Sequence, residues 1–307
     1  MTSTLTTTPE TSTIVRSKRH CAVKKILGLT SMVNPLWGAN LGLLAFTTPM
    51  QRRKQRPQLP VDTRVKSVSI RGREVTLYQY GKSARKILLV HGWEAAASDF
   101  IDLFEPLVKA GYEVCAVDLP GHGRSSGNRL TAGDTAEIIR DLEIMIGPFS
   151  AIVGHSFGAF STGFALANYS EFDGMPFVSI GSPNTLKSVL ENFSQLAGLS
   201  ALQSNYMSCK IEKKYGIKVE DFELAKFIQS HSGPTMVVHD QQDRQVDYSE
   251  VEQIQQQARS ADYLITKGLG HNRILNDPQT IHSIINFINR WRDSRDNFEI
   301  AFKFGIV

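Results

Sequence analysis

Residues 151–168 read AIVGHSFGAFSTGFALAN, and the reading of this stretch decides the fold. The apolar run Ala151 to Val153 suits a strand buried on both faces, and Phe157 to Asn168 carries apolar residues at helical spacing. Between them Gly154-His155-Ser156-Phe157-Gly158 must turn a strand into a helix within a few residues. Ser156 then sits at a strained backbone, and the two glycines remove side chains that would collide there. By chance such a glycine-serine-glycine spacing recurs in roughly one chain of this length in ten, so the flanking strand and helix carry the reading. The structural alternative is a serine that caps a helix.

Outward from this turn, strand-like and helix-like segments alternate. Ile87 to Val90, Val114 to Val117, Phe177 to Ile180, Met236 to Val238 and Tyr263 to Ile265 read as buried strands. Phe100 to Ala110, Thr131 to Ile146, Ser249 to Ala258 and Pro278 to Trp291 read as helices. Val65 to Ile70 and Glu74 to Tyr80, joined through Arg71-Gly72-Arg73, predict an antiparallel hairpin. The expected class is therefore α/β, a mostly parallel sheet with helices on both faces. About fifty residues separate the strands at Phe177 and Met236, far more than an ordinary connection. They predict a helical cap with helices over Leu186 to Leu199, Leu202 to Tyr215 and Val219 to His231. Its Leu, Phe, Met and Tyr residues either line a pocket or form the cap's own core. The expected organisation is a leader over 1–60, a core over 61–183 and 234–293, a cap over 184–233 and a tail over 294–307.

A serine becomes a nucleophile at neutral pH when a base takes its proton and an acid orients the base. Asp240 and Asp243 follow the strand at Met236, and His271 follows the strand at Tyr263 within Gly268-Leu269-Gly270-His271-Asn272. In open α/β sheets the carboxyl edge, where these loops lie, is where ligands bind. His91-Gly92-Trp93-Glu94 follows the strand at Ile87, so the backbone amides of Trp93 and Phe157 are candidate donors to an oxyanion. His91 reads as a turn-fixing residue, Asp118 and His122 as loop-stabilising, and His155 as packing. The eight histidines form no metal-ligand spacing, and no cofactor is implied.

Four of these motifs together resemble the α/β-hydrolase superfamily over about residues 65 to 292. They are His91-Gly92-Trp93-Glu94, Asp118-Leu119-Pro120-Gly121-His122-Gly123-Arg124-Ser125-Ser126-Gly127, the elbow at Ser156, and the Asp and His loops in the family's order. The resemblance implies a Ser156-His271-Asp243 triad, favouring Asp243 over Asp240 as the second aspartate of its loop. Epoxide hydrolases and haloalkane dehalogenases of this fold use an aspartate nucleophile, which Ser156 argues against. The implied activity is cleavage of a small-molecule carboxylic ester, and the helical cap over the sheet edge predicts a restricted pocket for short to medium acyl chains. A lipase, thioesterase, amidase or carbon–carbon bond hydrolase, and a non-catalytic binding protein on the same fold, are the alternatives. Phe46-Thr47-Thr48-Pro49-Met50-Gln51-Arg52-Arg53 also resembles the segment that precedes the fold in bacterial serine hydrolases.

The composition fits a globular enzyme: 41% hydrophobic and 21% charged, with 23 Gly and 12 Pro, excludes a disordered, collagen-like or coiled-coil chain. The net charge of +4 is uneven, because residues 1–66 hold eleven Lys and Arg against two acids, leaving −5 for the remaining 241. A slightly acidic body argues against nucleic-acid partners, while the basic leader fits contact with anionic lipid. Residues 1–15 are Ser/Thr-rich and read as disordered. No charge interrupts Ile26 to Phe46, but Asn34, Pro35 and Asn40 weaken a spanning reading, so a helical segment packed on the body is expected, with a peripheral or spanning membrane anchor and an export signal as the alternatives. Cys21, Cys115 and Cys209 are odd in number and scattered, which fits a reducing, cytoplasmic setting.

Overall fold

A computed structural model describes residues 25–30, 34–51 and 58–303, with side chains through Trp291. Eight strands form one sheet in the order β1-β2-β4-β3-β5-β6-β7-β8. These are β1 (Arg64–Ile70), β2 (Arg73–Tyr80), β3 (Lys86–Val90), β4 (Glu113–Asp118), β5 (Phe149–His155), β6 (Phe177–Ile180), β7 (Thr235–Asp240) and β8 (Asp262–Thr266). Every pairing from β4 to β8 is parallel, whereas β1 and β2 run antiparallel. The hairpin closes through Arg71 and Gly72, both at positive φ, as a two-residue turn matched to strand twist requires. Arg71 is tied there by Asp141 and Glu137.

The sheet is covered on both faces, and its two core clusters follow the alternation of side chains along the strands. Leu88 and Val90 face one cluster, Ile87 and Leu89 the other. Full burial of β4 and β7 explains why their central residues, Val114 to Val117 and Met236 to Val238, are unbroken apolar runs. Buried Cys115 lies on β4 and exposed Cys209 on a helix, both as free thiols, while Cys21 lies outside the described residues. Strand order reverses direction at β3, with β4 on one side and β5 on the other, so a crevice opens at their carboxyl ends.

Three segments differ from the sequence reading. The apolar leader is not one helix: residues 25–30 are helical, and α1 (Pro35–Phe46) starts afresh with Asn34 accepting from the Leu36 and Trp37 amides. Proline at the first helical position has no N–H to satisfy and disfavours helix in the residue before it. Helix α1 packs on the insertion helices rather than on the sheet, with Phe46 edge-on to Phe193 and Gln203 Nε2 donating to the Pro35 carbonyl. The last insertion helix begins at Leu224 instead of Val219, because Glu223 bridges to Thr185 and Leu186 N donates to the Phe222 carbonyl. The final helix runs on from Pro278 through Lys303 into the stretch read as a tail, with no Gly or Pro to stop it before Gly305. The expected disorder of residues 1–15 falls outside the described residues.

Gly42 is where α1 meets the insertion: a Cβ there would stand 2.9 Å from Leu199 Cδ1 and 3.1 Å from Met207 Sδ. Gly42→Leu should therefore unseat α1 at a cost of about 1–3 kcal/mol. The expected result is a lower midpoint in denaturant with earlier proteolytic cleavage between residues 47 and 60; an unchanged midpoint would show that α1 does not depend on this contact.

Candidate active site

Ser156 sits at φ 52 and ψ −121, between the end of β5 and α2 (Phe157–Asn168). A non-glycine residue in this region costs on the order of 1–3 kcal/mol and persists only when its surroundings hold it. Here the Ser156 amide donates to the Ile180 carbonyl at 2.8 Å. A Cβ on Gly154 would stand 2.5 Å from Ala159 Cα, and one on Gly158 would stand 2.3 Å from the Val90 carbonyl oxygen. Both glycines are thus required by backbone-on-backbone packing. The turn at Ser156 leaves the Phe157 amide as the first of its helix, without an intrahelical acceptor.

The turn after β3 lies against this elbow, since a Cβ on Gly92 would stand 3.1 Å from Ser156 Cβ. His91 fixes the turn: its Nδ1–H donates to the Gly92 carbonyl at 2.7 Å and its Nε2 accepts from the Leu119 amide at 3.0 Å. The Trp93 ring meets Phe157 edge-on, so the two candidate oxyanion residues share one wall. Asp118 accepts from Tyr78 Oη, Ala97 N and Arg124 N, binding the two loops beside the site. Burial works to raise its carboxyl, but neighbouring His91 and these three donors hold it below the usual carboxylate range. His122 is buried beside His91 and Trp93, with its Nδ1–H donating to the Pro120 carbonyl.

At the far side of the crevice Asp243 Oδ2 accepts from His271 Nδ1 at 2.6 Å, with both side chains buried. Burial tends to raise the Asp243 carboxyl. The hydrogen bond from His271 and the amides of Val246 and Gln245 outweigh it, and the carboxyl lies below its ordinary value. Asp240 is directed elsewhere: it accepts from Thr266 Oγ1, Leu269 N and Gln242 N, and so holds the loop that carries His271. Gly181, the residue after Ile180, faces the imidazole, where a Cβ would be 3.3 Å from His271 Nδ1. No hydrogen bond joins the Ser156 hydroxyl to His271 here; such bonds often tighten only with substrate bound.

Three features escaped the sequence reading. His155 is more than packing, because its Nε2–H donates to the His271 carbonyl at 2.9 Å and so links elbow and histidine loop. Burial and the adjacent His271 depress its pKa to about 3. Glu94, at φ 55, accepts from the Met50 and Gln51 amides at 2.7 and 3.2 Å, tying the leader to the turn that carries Trp93. A cavity of about 630 Å³ opens at Ser156, and the leader contributes Leu43, Phe46 and Met50 to its wall. Val189, Phe193 and Tyr215 line it from the insertion, whereas Met207 and Ile228 are buried in the core. Both readings of the insertion's apolar residues therefore apply, to different residues. Among the described residues no group of three His, Cys, Asp or Glu side chains could hold a metal ion.

The sequence pattern of the alpha/beta hydrolase family matches residues 87–206, from β3 through the elbow and into the insertion. The chain is an α/β-hydrolase-fold protein. Among solved structures, an esterase from Pyrococcus furiosus is similar with a TM-score of 0.59 at 19% identity, over 80% of this chain and 97% of that one. A membrane phospholipase A, a bacterial virulence factor, is similar with a TM-score of 0.58 at 17% identity, over 88% and 93%. A thioesterase domain from the curacin biosynthetic pathway gives 0.53 at 17%, over 74% and 99%. At these identities the likeness is one of fold. No curated protein matches the chain.

Within this α/β-hydrolase fold His155 makes a pH prediction whose sign is set by its depressed pKa. Folded His155 stays neutral down to about pH 3, while the unfolded chain binds its proton near 6.5. Its contribution to stability is full above pH 6.5 and is lost as pH falls toward 3. His155→Gln should flatten the acid limb of stability by up to about 1.4 kcal/mol per pH unit in that window. Parallel curves for the two proteins, measured by denaturant unfolding, would contradict this.

Proposed function

We propose that the chain is a serine hydrolase that cleaves carboxylic esters through Ser156, His271 and Asp243. One observation supports the reading: a strained Ser156 and a buried Asp243–His271 pair, hydrogen-bonded at 2.6 Å, both stand on turns that follow strands at the carboxyl edge of one sheet. The ester carbonyl enters the cavity with its oxygen toward the Phe157 and Trp93 amides. Ser156 Oγ attacks the carbonyl carbon as His271 Nε2 takes its proton, and the two amides stabilise the oxyanion that forms. Asp243 holds the imidazole with Nδ1 protonated and stabilises its positive charge. Collapse of the tetrahedral species breaks the ester C–O bond, and His271 returns the proton to the departing alcohol. Water, activated by the same histidine, then attacks the acyl-enzyme and releases the acid.

Ser156→Ala and His271→Ala should each lower turnover of a p-nitrophenyl ester by at least about a thousandfold while circular dichroism stays native, since the three groups act as a unit. A fluorophosphonate should label Ser156 alone. Asp243→Asn should cost far more than Asp240→Asn, because Asp240 meets the histidine loop through its backbone and Thr266. Equal or reversed losses would reassign the acid.

The cavity supports short to medium acyl chains as substrates, since helices of the insertion and leader roof it and its wall is apolar around Phe46, Phe193 and Leu196. Specificity constants across a panel of acyl lengths should peak in that range. A steady rise to about sixteen carbons, at roughly 0.8 kcal/mol per buried methylene, would instead indicate a long open groove.

A further inference from the structure

Helix α1 turns three of its large apolar side chains, Leu36, Trp37 and Leu44, outward, which core packing alone does not explain. Its buried residues are the small ones, Gly38, Ala39 and Gly42, which face the insertion. Trp37 is 62% exposed and Leu44 42% exposed, one helical face apart by two turns, with half-buried Leu41 between them. Ile26 and Leu29 are exposed on the short helix before it. On the insertion, exposed Leu202 adjoins Gln203, whose amide bonds Pro35, and exposed Leu196 lies one turn from Phe193, which packs on Phe46. Seven of the eleven exposed large apolar side chains among the described residues therefore belong to this one end of the molecule. A concentration of that kind marks an interaction surface.

We infer that this face docks on an anionic lipid bilayer, with α1 lying in the plane of the interface. Charge argues for that occupant. The twelve residues of α1 carry no charge, yet Lys24 and Lys25 precede it and Arg52, Arg53, Lys54 and Arg56 follow it, while the chain beyond residue 66 is net −5. The excess of positive charge in the sequence therefore belongs to this end, and it is attracted to negative headgroups. An exposed Trp beside Leu side chains is the composition that seats at the headgroup boundary. A helix of twelve residues is about 18 Å long, too short for the roughly 30 Å hydrocarbon core, so it lies on the bilayer. Among the described residues no helix is long and apolar enough to cross a membrane. Because α1 also supplies Leu43 and Phe46 to the cavity wall, and exposed Leu196 lines the same cavity, docking would set the cavity mouth beside the lipid.

The full chain is tested by co-sedimentation with vesicles of phosphatidylcholine alone and with about one third phosphatidylglycerol. Binding should be at least about tenfold stronger to the anionic vesicles and should fall at least about tenfold in Trp37→Ala/Leu44→Ala, neither of which lines the cavity. Arg52→Gln/Arg53→Gln/Lys54→Gln should lose the preference for anionic lipid. Native folding of the variants is checked by thermal melting, so the result stands whether or not an ester is turned over, and a soluble short-chain ester should be hydrolysed at the unaltered rate. Absence of sedimentation with either vesicle, or sedimentation of the Trp37/Leu44 variant equal to the parent, would overturn the inference. So would a dimer in size-exclusion chromatography that Trp37→Ala dissolves.

Discussion

The approach of three backbones around Ser156 governs the rest of this structure. The β5 strand ends, turns and becomes a helix within the width of one residue, and it does so pressed against the Val90 carbonyl on one side and bonded to the Ile180 carbonyl on the other. Nothing larger than glycine fits at 154 or 158. The strain at Ser156 is tolerable because β5 is held between parallel strands β3 and β6. A hydroxyl held this way stands clear of the sheet, at the point where strand order reverses and a crevice must open.

Around that point the polar residues are arranged so that each loop is held by another. His155 bonds the backbone of His271, Asp240 bonds the loop that carries it, and Asp243 is left to meet the imidazole itself. Asp118 and His91 do the same for the loops on the other side. This division explains why these five polar side chains can be buried around the crevice: each bonds a backbone amide or carbonyl, so desolvation is offset locally and the loop geometry is fixed. Glu94 extends the chain of contacts to the leader, which makes the segment before the sheet part of the cavity rather than an appendage to it.

The strands, the order of the sheet's helices and the elbow were legible in the sequence because each is a local pattern. Buried strands carry unbroken apolar runs such as Val114 to Val117, the hairpin is marked by Arg71-Gly72, and the Gly154 and Gly158 spacing has one mechanical meaning before a helix. What decides a contact between distant segments was not legible. Asp240 and Asp243 are three residues apart in one loop, and only the pairing of β7 with β8 turns the first toward Thr266 and the second toward His271. The leader shows the same limit. Its sequence announces an apolar helix with a proline in it, and from Pro35 one can read where a helix starts afresh. That this helix lies on the insertion with its glycines inward and Trp37 outward depends on the shape of Leu199 and Met207 across the interface. Local periodicity and turn chemistry are written along the chain, whereas the partner of a carboxylate or of a helix face is chosen by side-chain packing between segments that only the folded sheet brings together.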